Sequence, residues 1–136
     1  MLVNGLQRRV AREESGFTLI ELLIVLVIIG VLLAIAVPSY LGFNDRANNT
    51  SAQANIRAVI PSVEAWHSDK GGYSTLTLTR LQASYDAGLK VAPSATADGV
   101  WRLTVTGTTY CLKSNGGGKT YYKLGPGGAI QTAACT

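Results

Sequence analysis

The residue with the clearest chemical meaning is Glu21. Residues 17–37 are almost all Leu, Ile, Val or Ala, and Glu21 is the one ionisable group among them. About 21 residues rising roughly 1.5 Å each make a helix about 30 Å long, which matches the hydrocarbon core of a bilayer. A carboxylate in such a run is costly and reads as a functional site with an unseen partner. The alternative is that Glu21, one turn inside the run, reaches the headgroups. Other reactive groups are sparse. His67 is the single histidine, and spacing assigns it no Ser, Cys or carboxylate, so no catalytic residue is expected. Asp69, Asp86 and Asp98 are scattered without EF-hand spacing and read as turn caps, so neither a metal nor a cofactor is expected. Cys111 and Cys135 are the two cysteines. They suggest one disulfide and an oxidising exterior, with free thiols as the lesser alternative.

The element that must position Glu21 carries a recognisable pattern. A short basic leader ending in Gly16, then Phe17-Thr18-Leu19-Ile20-Glu21-Leu22 and an apolar helix, resembles the type IV pilin family, which includes the pseudopilins of type II secretion. The resemblance covers residues 16–38 closely and the remainder in outline. It implies that a membrane-embedded prepilin peptidase cuts between Gly16 and Phe17 and methylates the new amine of Phe17. It also implies that inner-membrane assembly machinery packs the mature subunits, helix against helix, into a filament that is a helical homo-oligomer. Peptide chemistry is consistent with this. Gly16 resists helix and lets the backbone enter a protease extended. The freed amine would lie one turn from Glu21, about 6 Å along the axis. The carboxylate could meet that amine or the amine of a neighbouring subunit, relieving two charges where the dielectric is low.

A chain of 136 residues suits one modest domain plus an anchor, and its net charge is +4. That balance permits weak attraction to DNA or an anionic surface, but no helix carries a Lys/Arg stripe. Arg8, Arg9 and Arg12, against Glu13 and Glu14, keep the amino end in the cytoplasm and put everything after Val37 outside. Ala34-Ile35-Ala36 has the form of a secretory cleavage site. Its apolar region, however, exceeds the usual 7 to 15 or so residues and contains Glu21. A plain signal anchor is the third reading.

Beyond the apolar run, Pro38 frees the carbonyl of Ala34 and predicts a kink or loosening. The helix is expected to continue, because Ile56, Val59, Ile60, Val63 and Trp66 recur along one face. Residues 44–53 read as an exposed joint, and Pro61 as a bend. Gly71-Gly72 stops the helix. Thr79-Arg80-Leu81-Gln82 has the form of a capping box and predicts a short helix over 81–87, closed by Gly88. From Val100 the pattern alternates, with Trp101, Leu103 and Val105 on one face and Arg102, Thr104 and Thr106 on the other. Gly107 and the stretch 114–118 act as turns in an antiparallel meander over the helical stripe. Tyr73, Trp101, Tyr121 and Tyr122 are expected in the core or sheet. Gly125-Pro126-Gly127-Gly128 breaks the sheet, and the tail to Cys135 has no strong pattern. A Cys111–Cys135 bridge would close a loop of about 25 residues, worth roughly 3 kcal/mol by chain entropy.

The expected architecture is therefore α+β. Residues 1–16 form a leader, 17–38 a transmembrane and filament-core helix, and 39–68 its amphipathic continuation. Residues 69–99 form a variable connection, and 100–136 the sheet with a disulfide-bounded loop that resembles the carboxyl-terminal region of many pilins. The expected function is a structural subunit, not an enzyme: a single-pass membrane precursor whose mature form joins an extracellular filament for adhesion, motility or DNA uptake. A type II secretion pseudopilin is the alternative within the family, and a secreted binding module cleaved after Ala36 the alternative outside it.

Overall fold

The computed structural model describes residues 16–136; residues 1–15 of the leader lie outside the described residues. The chain divides into a unit ending at Ser39 and a second unit, Tyr40–Thr136. One helix, α1 (Leu19–Lys70), contributes to both. Its helical conformation runs through Pro38 and Pro61, where a kink and a bend were expected to loosen it. Each proline removes one backbone hydrogen bond, from Ala34 and Arg57 respectively, and both of those residues are exposed, so solvent or another molecule can take up the freed carbonyl. Gly71 ends α1 with a left-handed φ of 72°, and its N–H donates to the His67 carbonyl at 2.8 Å.

In the second unit the α1 stripe is buried at Ala52, Asn55, Ile56, Val59, Ser62, Val63 and Trp66, a three- and four-residue rhythm. It packs with Leu81, Leu112, Tyr110 and Tyr121 in one core, and each fully buried aliphatic there contributes about 1.5 to 3 kcal/mol. Ile60 only borders that core. Residues 44–53 are not an exposed joint throughout: Ala52 is fully buried. The reason is a close backbone approach. A Cβ on Gly116 would lie 2.1 Å from the Asn48 carbonyl oxygen, and one on Gly117 would lie 2.3 Å from that of Asp45. Only a hairpin tip without side chains lets sheet and helix meet there.

The short helix α2 (Leu78–Ser84) begins three residues earlier than expected, because Thr77, not Thr79, caps it and accepts from the Arg80 N–H. Gln82 turns away instead and donates to the Leu89 carbonyl. Four antiparallel strands follow in the order β1-β2-β3-β4: β1 (Val100–Val105), β2 (Tyr110–Gly116), β3 (Lys119–Gly125) and β4 (Ile130–Gln131). Two details depart from the expected pattern. The register shifts between Val100 and Arg102, so Val100, which precedes the expected alternation, fills the core, while Trp101 is half-buried and donates its indole N–H to the Asn115 side chain. Ser114 and Asn115 continue β2 and are not part of a turn, because the buried Ser114 hydroxyl is satisfied by the Gly99 carbonyl at 2.8 Å. The tail, read as patternless, contains β4, paired to β3 through Tyr122 and Lys123.

Polar bonds tie these layers. Glu64 on α1 accepts from the hydroxyls of Tyr73 and Tyr110, both at 2.9 Å, and the two rings meet edge to face. Asp98 accepts from Lys90, Asn55 and Ser51, so the connecting region is clamped to the helix. The Lys90 ammonium, then the Asn55 amide, hold the Asp98 carboxyl below the usual carboxylate range.

Candidate processing and assembly site at the start of the long helix

Where α1 begins, the sequence Thr18-x-x-Glu21 closes on itself. The Thr18 N–H donates to Glu21 Oε2 at 2.8 Å, and its hydroxyl donates to the same oxygen at 2.7 Å. In return Thr18 Oγ1 lies 3.2 Å from the Glu21 N–H. This is a capping box, in which two backbone donors without helical partners are satisfied reciprocally. Its signature, Thr18 followed three residues later by Glu21, is legible in the sequence but overshadowed by the chemistry of the freed amine. Oε1 of the carboxylate takes no hydrogen bond among the described residues.

Gly16 and Phe17 precede the cap in irregular backbone. A Cβ built on Gly16 meets nothing within 4 Å, and its φ is not left-handed. Nothing in the packing of the described residues requires glycine there. Phe17 is 84% exposed, and the large apolar residues that follow are exposed as well, none of them buried up to Ser39. The most apolar window of α1 has a mean hydropathy of 3.2, long and apolar enough to cross a membrane. A helix that is apolar all round and bare on every side requires lipid or other helices around it.

The other residues singled out from the sequence lie in the second unit. Cys111 and Cys135 are bridged, with their Cα atoms 6.2 Å apart, which ties the tail to the middle of the sheet. His67 is exposed, its ring 4.6 Å from that of Tyr73. The three aspartates serve separate structural bonds: Asp69 accepts from the Tyr85 hydroxyl, Asp86 from the Gly88 N–H, and Asp98 forms the clamp described above. Glu64, unremarked in the sequence, proves to be the acid that joins helix, loop and sheet. Its signal was its position, one residue past Val63 on the edge of the buried stripe.

Residues 11–37 match the family described as the prokaryotic N-terminal methylation motif. Beyond that segment, the chain is 30% identical over 116 residues to the type IV wide pilus major component PilA4 of Thermus thermophilus, an alignment covering 85% of this chain and 84% of that protein. It is 44% identical over 62 residues to the type IV major pilin protein PilA of Myxococcus xanthus, covering 46% of this chain and 28% of that longer relative. It is 39% identical over 62 residues to the type II secretion system core protein G of Pseudomonas aeruginosa, covering 46% of this chain and 44% of that protein. An exposed apolar helix opening on a methylation motif, joined to an α+β unit with an antiparallel sheet, defines a class of filament-forming subunits. The chain belongs to the type IV pilin family.

Proposed function

We propose that this chain is the precursor of a pilus subunit, cut between Gly16 and Phe17 by a prepilin peptidase, methylated on the Phe17 amine and assembled into a filament through α1. The observation that carries the proposal is Glu21: a carboxylate at the head of a helix with no buried residue for its first 20 or so positions, one oxygen engaged by Thr18 and the other open. An ammonium group is the natural complement, and the amine released at Phe17 supplies one. Gly16 supports the cleavage step, because a glycine that meets no steric need among the described residues fits a demand made by an enzyme. Gly30 supports the packing step: it costs the helix about 1 kcal/mol relative to alanine and leaves open space for a neighbouring helix. Before assembly, Arg8, Arg9 and Arg12 hold the amino end on the cytoplasmic side of the inner membrane.

The secretion pseudopilin reading rests on a match over 46% of this chain, whereas the match to the wide pilus component covers 85% of it. The test is to express Glu21→Val without the native copy and count sheared surface filaments. Removing one member of a buried ion pair costs about 3 to 5 kcal/mol. Filaments should therefore be lost while mature subunit, starting at a methylated Phe17 by mass spectrometry, accumulates in the membrane. Normal filament yield removes the pairing. An amino terminus at Met1 or Val37 removes the proposed processing and, with it, the assembly through a freed Phe17 amine.

A further inference from the structure

The face of the sheet that turns away from the core carries a charge pattern with no use inside the fold. Strand pairing sets Arg102, Lys113, Tyr122 and Gln131 in one row across all four strands. Four strands about 4.8 Å apart make the row roughly 14 Å long. Arg102 and Gln131 are exposed, and Lys113 and Tyr122 are half-buried. Arg102 and Lys113 are direct cross-strand partners, and like charges so placed are destabilising. No carboxylate relieves them: the sequence contains no Asp or Glu after Asp98, and among the described residues neither cation forms an ion pair. Lys113 is instead drawn over the Tyr122 ring, 5.3 Å from its centre. A small sheet that keeps two facing cations, an aromatic ring and an amide in line, with Thr104 and Thr120 nearby on the same face, is arranged for an anionic ligand that also offers hydroxyls and apolar ring faces.

We propose that this row binds an acidic polysaccharide, with uronic-acid carboxylates on Arg102 and Lys113 and a sugar ring against Tyr122. The number of charges decides against a nucleic acid. A strand with a phosphate on every nucleotide is held largely by the cations it engages, and two cations release too few counterions to hold it at physiological salt. A polysaccharide spaces its carboxylates among neutral hydroxyl-bearing rings, which matches a row where two cations are followed by Tyr and Gln. The guanidinium of Arg102 supplies a planar two-pronged contact that an ammonium does not.

The test uses the full chain in detergent micelles, with hyaluronate, in which uronic-acid rings alternate with neutral ones, as the probe, dextran as the neutral control and a single-stranded oligonucleotide as the competing polyanion. Hyaluronate should bind saturably, more weakly as salt rises, while dextran should not bind. Arg102→Gln combined with Lys113→Gln should weaken binding by about tenfold or more, the loss expected for charge-assisted contacts. Tyr122→Leu should weaken it less, and Arg57→Gln, on the exposed side of α1, should leave it unchanged. Should the double variant fail to fold, Arg102→Lys keeps the charge but loses the fork, and it should still weaken binding. Undiminished affinity in the folded double variant or in Arg102→Lys, or an equal loss in Arg57→Gln, overturns the proposal. So does tighter binding of the oligonucleotide through the same residues.

Discussion

Tyr73 and Tyr110 show how one acid on a helix sets the chemistry of two rings. Burial, reinforced by the Glu64 hydrogen bond, pushes the Tyr73 hydroxyl up from 10.0 to about 12, and the same causes raise Tyr110. A proton held more tightly in the folded state than in the unfolded one stabilises the fold fully below the unfolded pKa, near 10. That stabilisation is lost as pH climbs through the folded value. The second unit should therefore lose stability between pH 10 and about 12. Thermal unfolding of the full chain across that window, followed together with tyrosinate absorbance, checks this. Glu64→Gln removes the charge that opposes tyrosinate formation, so both rings should ionise at lower pH. An alkaline profile identical to the wild type would show that Glu64 does not act on them.

The β2–β3 hairpin and α1 make contact at the level of backbone against backbone. Gly116→Ala would set a Cβ 2.1 Å from the carbonyl oxygen and 2.6 Å from the carbonyl carbon of Asn48. Neither atom can swing aside, so the cost should be about 3 kcal/mol, as for overpacking in a core. Gly118 has a φ of 75° but open space where its Cβ would go. Alanine there meets only left-handed strain, about 1 kcal/mol. Urea unfolding of the two variants should rank them in that order, and equal losses would mean that the hairpin does not press on the helix. The sequence made the elements legible because their periods are strong: the long helix, the meander and the stripe from Ile56 to Trp66 all follow from spacing. The contact was not legible. A run of glycines reads as a turn, and nothing local says that its backbone will rest on Asn48, far earlier in the chain. Local competition explains the smaller departures: Thr77 and Thr79 both offer a cap, and the Val100–Arg102 bulge brings Val100 into the core while leaving the alternation after it intact. At the amino end the motif residues were plain, but the partner of Glu21 in its own chain, Thr18, was hidden behind the more conspicuous chemistry of the cut.

For the molecule as a whole, the two units answer to different solvents. The described residues of the first bury nothing by themselves and wait for lipid or for other helices. The second carries its own core, closed by a disulfide between the middle of the sheet and the tail. Losing either cysteine should cost about 3 kcal/mol, a large share of a small domain's stability. Free thiols on both residues in unreduced, denatured protein would contradict the bridge. The clamp at Asp98 has a different kind of consequence. Lys90 and Asp98 are joined at 3.0 Å, and Val91 and Ala92 are stitched to Val100. Residues 93–97 thus leave the fold and return to it at one fastened point, with no strand, helix or core residue among them. Their side chains can change, and their number can grow, at little cost to the frame that holds them. A population of such chains can vary this one segment while keeping unaltered the parts by which each copy folds.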